Sequence, residues 1–175
     1  MVDMPLISTL SLAGVAILLL VIVILSLIFS VSGVWERIEK SGEGEAVRER
    51  ITLGQFGPFI VGRRDLAGGH QTFFGLAFAN RIWLRRRDFG VSILVKQGFP
   101  QEIARQLEGQ VMVHLNLQLS HDRLFLNGVV VPYKVEFTHQ PPRVTAMHAL
   151  EPIARSYRRV ELVSTKRVAN ATISE

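Results

Sequence analysis

Arg85-Arg86-Arg87 is the densest basic cluster in the chain, and Trp83 lies two residues before it. A second basic pair, Arg63-Arg64, lies earlier in the sequence. Guanidinium groups bind carboxylate and phosphate oxygens through paired hydrogen bonds. We therefore interpret these five arginines and Trp83 as a surface for an acidic protein partner or anionic lipid. The alternative is a solvated strand end whose central arginine pairs with Asp88 or another carboxylate.

Residues that could perform catalysis or hold a metal show no recognisable arrangement. The chain has no cysteine, and its five histidines lack the spacing of zinc ligands. Motifs for a nucleophilic serine, a phosphate-binding loop and a dinucleotide-binding turn are also absent. The sequence therefore predicts no catalytic residue, no metal site, no cofactor and no enzymatic activity.

An uncharged apolar run extends from Leu6 to Val34. Its 29 residues exceed the roughly 20 that a helix needs to cross a bilayer. A signal peptide is the alternative, but the run is too long and no Ala-x-Ala cleavage site follows it. We predict a transmembrane helix at residues 6–35, with Trp35 and Arg37 at the membrane interface.

The charges around this run predict its orientation. Basic residues follow it and none precedes it: Arg37, Lys40, Arg48 and Arg50. The positive-inside rule then predicts a single-pass protein of the inner or plasma membrane, with its N-terminus outside and its C-terminal domain in the cytoplasm. Ser26 and Ser30 have a spacing that lets two membrane helices approach closely, which predicts a homo-oligomer through this helix.

The remaining chain has the length of one domain. We predict a short tail at 1–5, the membrane helix at 6–35, a juxtamembrane linker at 36–49, a basic domain at 50–163 and a flexible tail at 164–175. The net charge of the whole chain is +5. Residues 50–163 contain 15 Lys and Arg against eight Asp and Glu, a net charge of +7. That excess suits an acidic partner, an anionic membrane or nucleic acid.

The periodicity of the domain predicts its secondary structure. Asp88 is placed to cap a first helix, and Pro100 lies in the first turn of a second. Side chains alternate from Val111 to Leu119, which is typical of a half-buried strand. A turn should follow at 120–122, and Asn127-Gly128 predicts a hairpin. The predicted fold class is α+β: the transmembrane helix followed by a mostly antiparallel β domain, either a sheet or a small barrel, with an inserted helical hairpin.

Residues Leu94 to Leu107 contain a Gln-Gly turn followed by Glu-Ile-Ala and a leucine. This segment resembles the first two helices of the helix-turn-helix in quorum-sensing-type transcription regulators, which implies DNA binding. A recognition helix should then follow with basic side chains. The next segment, Val111 to Leu119, alternates instead and contains no Lys or Arg, so nucleic acid is not the partner we expect.

Two Arg-x-x-x-Arg spacings, Arg81 to Arg85 and Arg155 to Arg159, are similar to the first motif of PilZ-type barrels, which bind cyclic dinucleotides. No segment supplies the second motif of that family. Three hypotheses follow in order: a membrane-anchored binding or scaffold protein, a membrane-anchored sensor of a small anionic ligand, and a membrane-tethered DNA-binding protein. The expected partners are the membrane and one or more proteins of a membrane complex.

Overall fold

The computed structural model describes residues 14–18, 20–21, 23–24, 29–41 and 44–160. Between residues 33 and 160 it contains nine strands and two short helices. The strands are β1 (Gly33–Ser41), β2 (Gly44–Phe56), β3 (Phe59–Leu66), β4 (Gly69–Phe78), β5 (Arg81–Phe89), β6 (Val111–Leu119), β7 (Phe125–His139), β8 (Pro142–Ala149) and β9 (Ile153–Val160). The helices are α1 (Val91–Lys96) and α2 (Gln101–Leu107).

Every strand pairing is antiparallel, and the sheet closes on itself. Its order is β6-β5-β4-β3-β2-β1-β9-β7-β8, and β6 also pairs with β7. Eight strands therefore form a barrel, and β8 extends it from the far end of β7. The change of partner occurs at Pro132, which is the last residue of β7 to face β6, whereas Tyr133 already faces β8. Proline lacks the N–H that a continuing ladder would need, which suits this switch.

The barrel interior is filled by large apolar side chains, because alternate residues of each strand point inward. Trp35, Ile51, Leu84 and Leu126 are each at most 1% exposed. They belong to one core that includes residues from β1 to β7 and from β9. At roughly 1.5–3 kcal/mol for each large buried apolar side chain, this core is the main source of stability.

The two helices connect β5 to β6 and complete the core at that point. Leu94 of α1 and Ile103 of α2 are fully buried. Gln106 of α2 holds the start of β8: its side-chain amide donates to the Pro142 carbonyl at 3.0 Å and accepts from the Val144 N–H at 3.0 Å. The segment that would have to supply a DNA recognition helix is β6, a strand of the barrel wall.

The N-terminal prediction needs correction. Residues 14–18, 20–21 and 23–24 are helical. Within the described part of the chain, however, no helix is long and apolar enough to cross a membrane. This finding contradicts the transmembrane helix at 6–35 and the single-pass, signal-anchored arrangement inferred from it. Of that span, residues 6–13, 19, 22 and 25–28 lie outside the described residues, as do the predicted tails at 1–5 and 164–175.

The end of the apolar run belongs to the barrel. Gly33 begins β1, and the predicted linker at 36–49 contributes residues to the paired strands β1 and β2. Val31 and Trp35 are fully buried in the core. These side chains are apolar because they line the barrel interior, and a run of apolar residues does not by itself distinguish that role from a membrane span.

Two local predictions also differ from the structure. Asp88 does not cap α1, since it lies buried in β5, and Gly90 precedes the helix without a side-chain cap. Asn127-Gly128 does not form a turn, since both residues lie within β7. The chain reverses earlier, as predicted at 120–122: the Asp122 carboxylate accepts from the Leu124 N–H at 3.0 Å.

A substitution at Gly75 of β4 tests how closely neighbouring strands of the barrel approach each other. A Cβ there would lie 1.8 Å from the Trp83 carbonyl oxygen of the neighbouring strand, so Gly75→Ala should force the backbones apart. We expect a loss of about 1–3 kcal/mol in the free energy of unfolding, measured by urea denaturation.

Gly54→Ala is the matched control, because the nearest atom to its added Cβ would be a Val61 methyl carbon at 3.8 Å, an ordinary contact. A destabilisation equal to that of Gly75→Ala would contradict the steric explanation.

Candidate functional site

Strand alternation separates the three arginines of β5. Arg85 and Arg87 are exposed on the outer face of the barrel, while Arg86 points inward. The Nε of Arg86 lies 3.0 Å from the Oδ1 of Asp88, whose side chain is fully buried. The ion pair between the central arginine and Asp88 is therefore present. Only two of the three arginines are available to a partner on the outside.

The pair on β3 divides in the same way. Arg63 is exposed, and its Nε donates to Asp65 at 2.8 Å. Arg64 points inward, where its Nη1 lies 3.3 Å from the Oε1 of Glu49. The predicted surface thus becomes an outer set, which contains Arg63, Arg85, Arg87 and Trp83, and an inner set, which contains Arg64 and Arg86.

Aromatic and aliphatic side chains accompany the outer arginines. One row of neighbours across the sheet is Phe59, Leu76 and Trp83, which are 60%, 49% and 45% exposed. The next row contains Val61, Phe74 and Arg85. We call Phe59, Val61, Phe74, Leu76 and Trp83 the aromatic face. It lines a groove of about 590 Å³ on the outside of the barrel.

One side of this groove is cationic. The Cζ of Arg87 lies 4.7 Å from the centroid of the Phe74 ring, a cation–π distance. Arg85 of β5 is paired in register with His114 of the neighbouring strand β6. Burial lowers the pKa of His114, and the charge of Arg85 lowers it further, so this imidazole is neutral at pH 7 and does not add to the charge. The His114 Nδ1 lies 3.5 Å from the Tyr133 hydroxyl.

No known protein family, curated protein or solved structure matches this chain.

The chemistry of the groove must therefore be inferred from its geometry. Exposed aromatic rings beside guanidinium groups can bind a ligand that carries both apolar groups and negative charge. The described residues contain no group of three or more His, Asp or Glu side chains that could hold a metal ion.

The residues predicted at a membrane interface lie elsewhere. Trp35 is fully buried, its indole N–H donates to the Val31 carbonyl at 2.9 Å, and the Cζ of Arg159 lies 4.8 Å from its ring centroid. Arg37 is half-buried, with its Nη1 3.9 Å from the Oε2 of Glu49. Trp35 therefore belongs to the apolar core of the barrel. Arg37 belongs to an inner polar cluster, which we define as Arg37, Glu49, Arg64 and Tyr157.

The inner polar cluster was not recognised from the sequence. Glu49 is 10% exposed and interacts with Arg37 and Arg64, and it also accepts a hydrogen bond from the Tyr157 hydroxyl at 3.3 Å. Glu49 fell in the predicted linker, and Tyr157 lies 108 residues away in sequence. Of the aromatic face, only Trp83 is among the predicted site residues; the sequence does not single out Phe59, Val61, Phe74 and Leu76, because apolar residues in strands are usually buried.

The pH dependence of stability tests whether the fold holds the Tyr157 phenol of the inner polar cluster in its protonated form. Burial raises the pKa of its phenol, and the negative charge of Glu49 raises it further. In the unfolded chain the phenol loses its proton near pH ~10. Above that pH the unfolded state binds fewer protons than the folded state, so stability must fall as the pH rises.

We expect the free energy of unfolding to show a tyrosine-dependent decline above about pH 10. Urea denaturation at a series of alkaline pH values measures it. Tyr157→Phe has no phenol to titrate and should lose that part of the decline. If both proteins show the same alkaline slope, Tyr157 is not held protonated by the fold.

Proposed function

We propose that this protein is a binding or scaffold protein whose aromatic face takes up an acidic segment of a partner protein. The observation that carries the proposal is the joint exposure of Trp83, Phe59 and Leu76 beside Arg85 and Arg87 on one side of a closed barrel.

The exposure of the aromatic face supports a protein interaction. Val61 is 64% exposed and Phe59 is 60% exposed, and both lie beside other apolar side chains of the same face. Contiguous apolar patches bordered by polar groups mark binding surfaces. Tryptophan and arginine are also the residue types that most often dominate the binding energy of protein interfaces.

The charge of this surface supports an acidic partner. Strands β3 to β6 contain only two acidic residues, Asp65 and Asp88, and Asp88 is buried. The outer face of these strands therefore has three exposed arginines, Arg63, Arg85 and Arg87, and one outward-facing carboxylate, that of Asp65. Carboxylates of a partner would gain charge-assisted hydrogen bonds from these guanidinium groups.

The topology favours recognition through side chains. Strands β3, β4 and β5 each pair with a neighbour on both sides, so this face offers no free strand edge to which a peptide could add. The partner must therefore place apolar side chains in the groove and carboxylates beside the arginines. The width of the groove across four strands suits a short segment with two or three apolar anchors.

A library of random peptides, screened against the full-length protein, tests this proposal. We expect selection of peptides that combine Asp or Glu with Leu, Phe or Trp. Binding should change the fluorescence of Trp83, since Trp35, the other tryptophan of the chain, is fully buried.

The double variant Arg85→Ala/Arg87→Ala should bind selected peptides at least tenfold more weakly, and Trp83→Ala should lose about 2 kcal/mol or more. Arg105→Ala/Arg143→Ala is the matched control, because it removes two exposed charges outside the groove and should bind normally. Vesicles of anionic lipid are a second comparison. Binding to these vesicles without binding to acidic peptides would overturn the proposal.

A further inference from the structure

A second cavity, of about 170 Å³, lies inside the barrel on the opposite side of the wall from the aromatic face. Seven of the barrel strands contribute side chains to it, and Arg155 and Ile153 of β9 are its more exposed members. This cavity shares no residue with the outer groove.

Positive charge exceeds negative charge around this cavity. Three guanidinium groups and one carboxylate line it: Arg37, Arg86, Arg155 and Glu49. The ion pairs that these residues form add Arg64 and Asp88. Among the described residues, the cluster contains four arginines and two acids, a net charge of +2. Charges removed from water are costly unless an opposite charge compensates them, so the excess favours a bound anion.

Arg155 is the cation best placed to receive that anion. Its side chain is half-buried, and it forms no ion pair with any carboxylate in the described part of the chain. Arg86, by contrast, is already engaged with Asp88. Its Nε lies against the Oδ1 of Asp88, and its Nη2 donates to the Oδ2 of the same carboxylate at 3.2 Å. Arg155 is therefore the guanidinium group of the cavity wall that a ligand carboxylate can approach.

The remaining wall of the cavity is apolar. Strands β6 and β7 contribute Val113, Leu115 and Val130, and β9 contributes Ile153. A fully hydrated inorganic ion would gain nothing from these side chains. A carboxylate with a small hydrocarbon body would satisfy the guanidinium groups and remove apolar surface from water at the same time.

We propose that this cavity binds a small organic carboxylate. Arg155 holds the carboxylate, Arg37 and Arg86 add to the positive field, and the side chains of β6 and β7 contact the hydrocarbon body. This site is independent of the proposed partner surface, since one lies inside the barrel wall and the other outside it.

Calorimetric titration of the full-length protein with benzoate tests the proposal, and uncharged benzamide has nearly the same shape. We expect benzoate to bind at least tenfold more tightly than benzamide. Arg155→Gln should remove most of this preference. Arg143→Gln, an equal change of charge on exposed β8, should leave it intact. Equal binding of the two probes, or an unchanged preference in Arg155→Gln, would overturn the proposal.

Methyl NMR of the unsubstituted protein locates the bound benzoate without relying on any variant. The methyl resonances of Val113, Leu115, Val130 and Ile153 should shift on titration. Shifts confined to Val61 and Leu76 would place benzoate in the outer groove and overturn the proposal. The variant Arg85→Ala/Arg87→Ala should bind benzoate normally, so the failure of one site is distinguishable from the failure of the other.

Discussion

The hydrogen bonding of β6 to β7 closes the sheet into a barrel, and the rest of the structure depends on that closure. Once the sheet is closed, every strand of the barrel has one face toward the interior and one toward solvent. Neighbouring strands must also approach closely. At Gly128 of β7, an added Cβ would lie 2.1 Å from the Asn116 carbonyl oxygen of β6, so the closing pair itself requires a residue without a side chain. Closure thus sets both the packing of the wall and the direction of every functional side chain.

The interior that closure creates is not uniformly apolar. Most of it is filled by residues such as Leu84 and Leu126, but one region holds Glu49, Asp88 and several arginines. Replacing such a polar cluster by apolar residues often preserves or raises stability, so a buried ion-pair network is weak evidence for a stabilising role. Among the described residues the cluster also carries more positive than negative charge, which argues further against a purely stabilising role. Ligand binding gives that excess a physical reason, because the charge is then compensated when the site is occupied.

Sequence periodicity predicted some of these features and could not predict others. The alternation from Val111 to Leu119 identified β6, because a half-buried strand shows its two faces directly. Asn127-Gly128 predicts a turn from local sequence preference alone. In the structure the glycine is needed because the backbone of β6 passes close to it, and a contact with a distant strand cannot be predicted from local preference. Trp35 directly follows an apolar run that looks like a membrane span in the sequence, because the sequence does not show the strands that pair with it. For the proposed outer site, the sequence singles out Trp83 and the arginines but not Phe74, since an apolar residue in a strand is usually buried.

Strand β5 belongs to both proposed sites, since Arg86 faces the inner cavity while Trp83, Arg85 and Arg87 face the outer groove. Proximity alone does not couple two sites. Coupling needs an element with two discrete arrangements whose equilibrium both ligands shift. β5 is hydrogen-bonded to β4 and β6 along almost its whole length, and Leu84 anchors it in the core. Because the strand is held on both edges and by its inner face, the geometry favours two sites that bind independently.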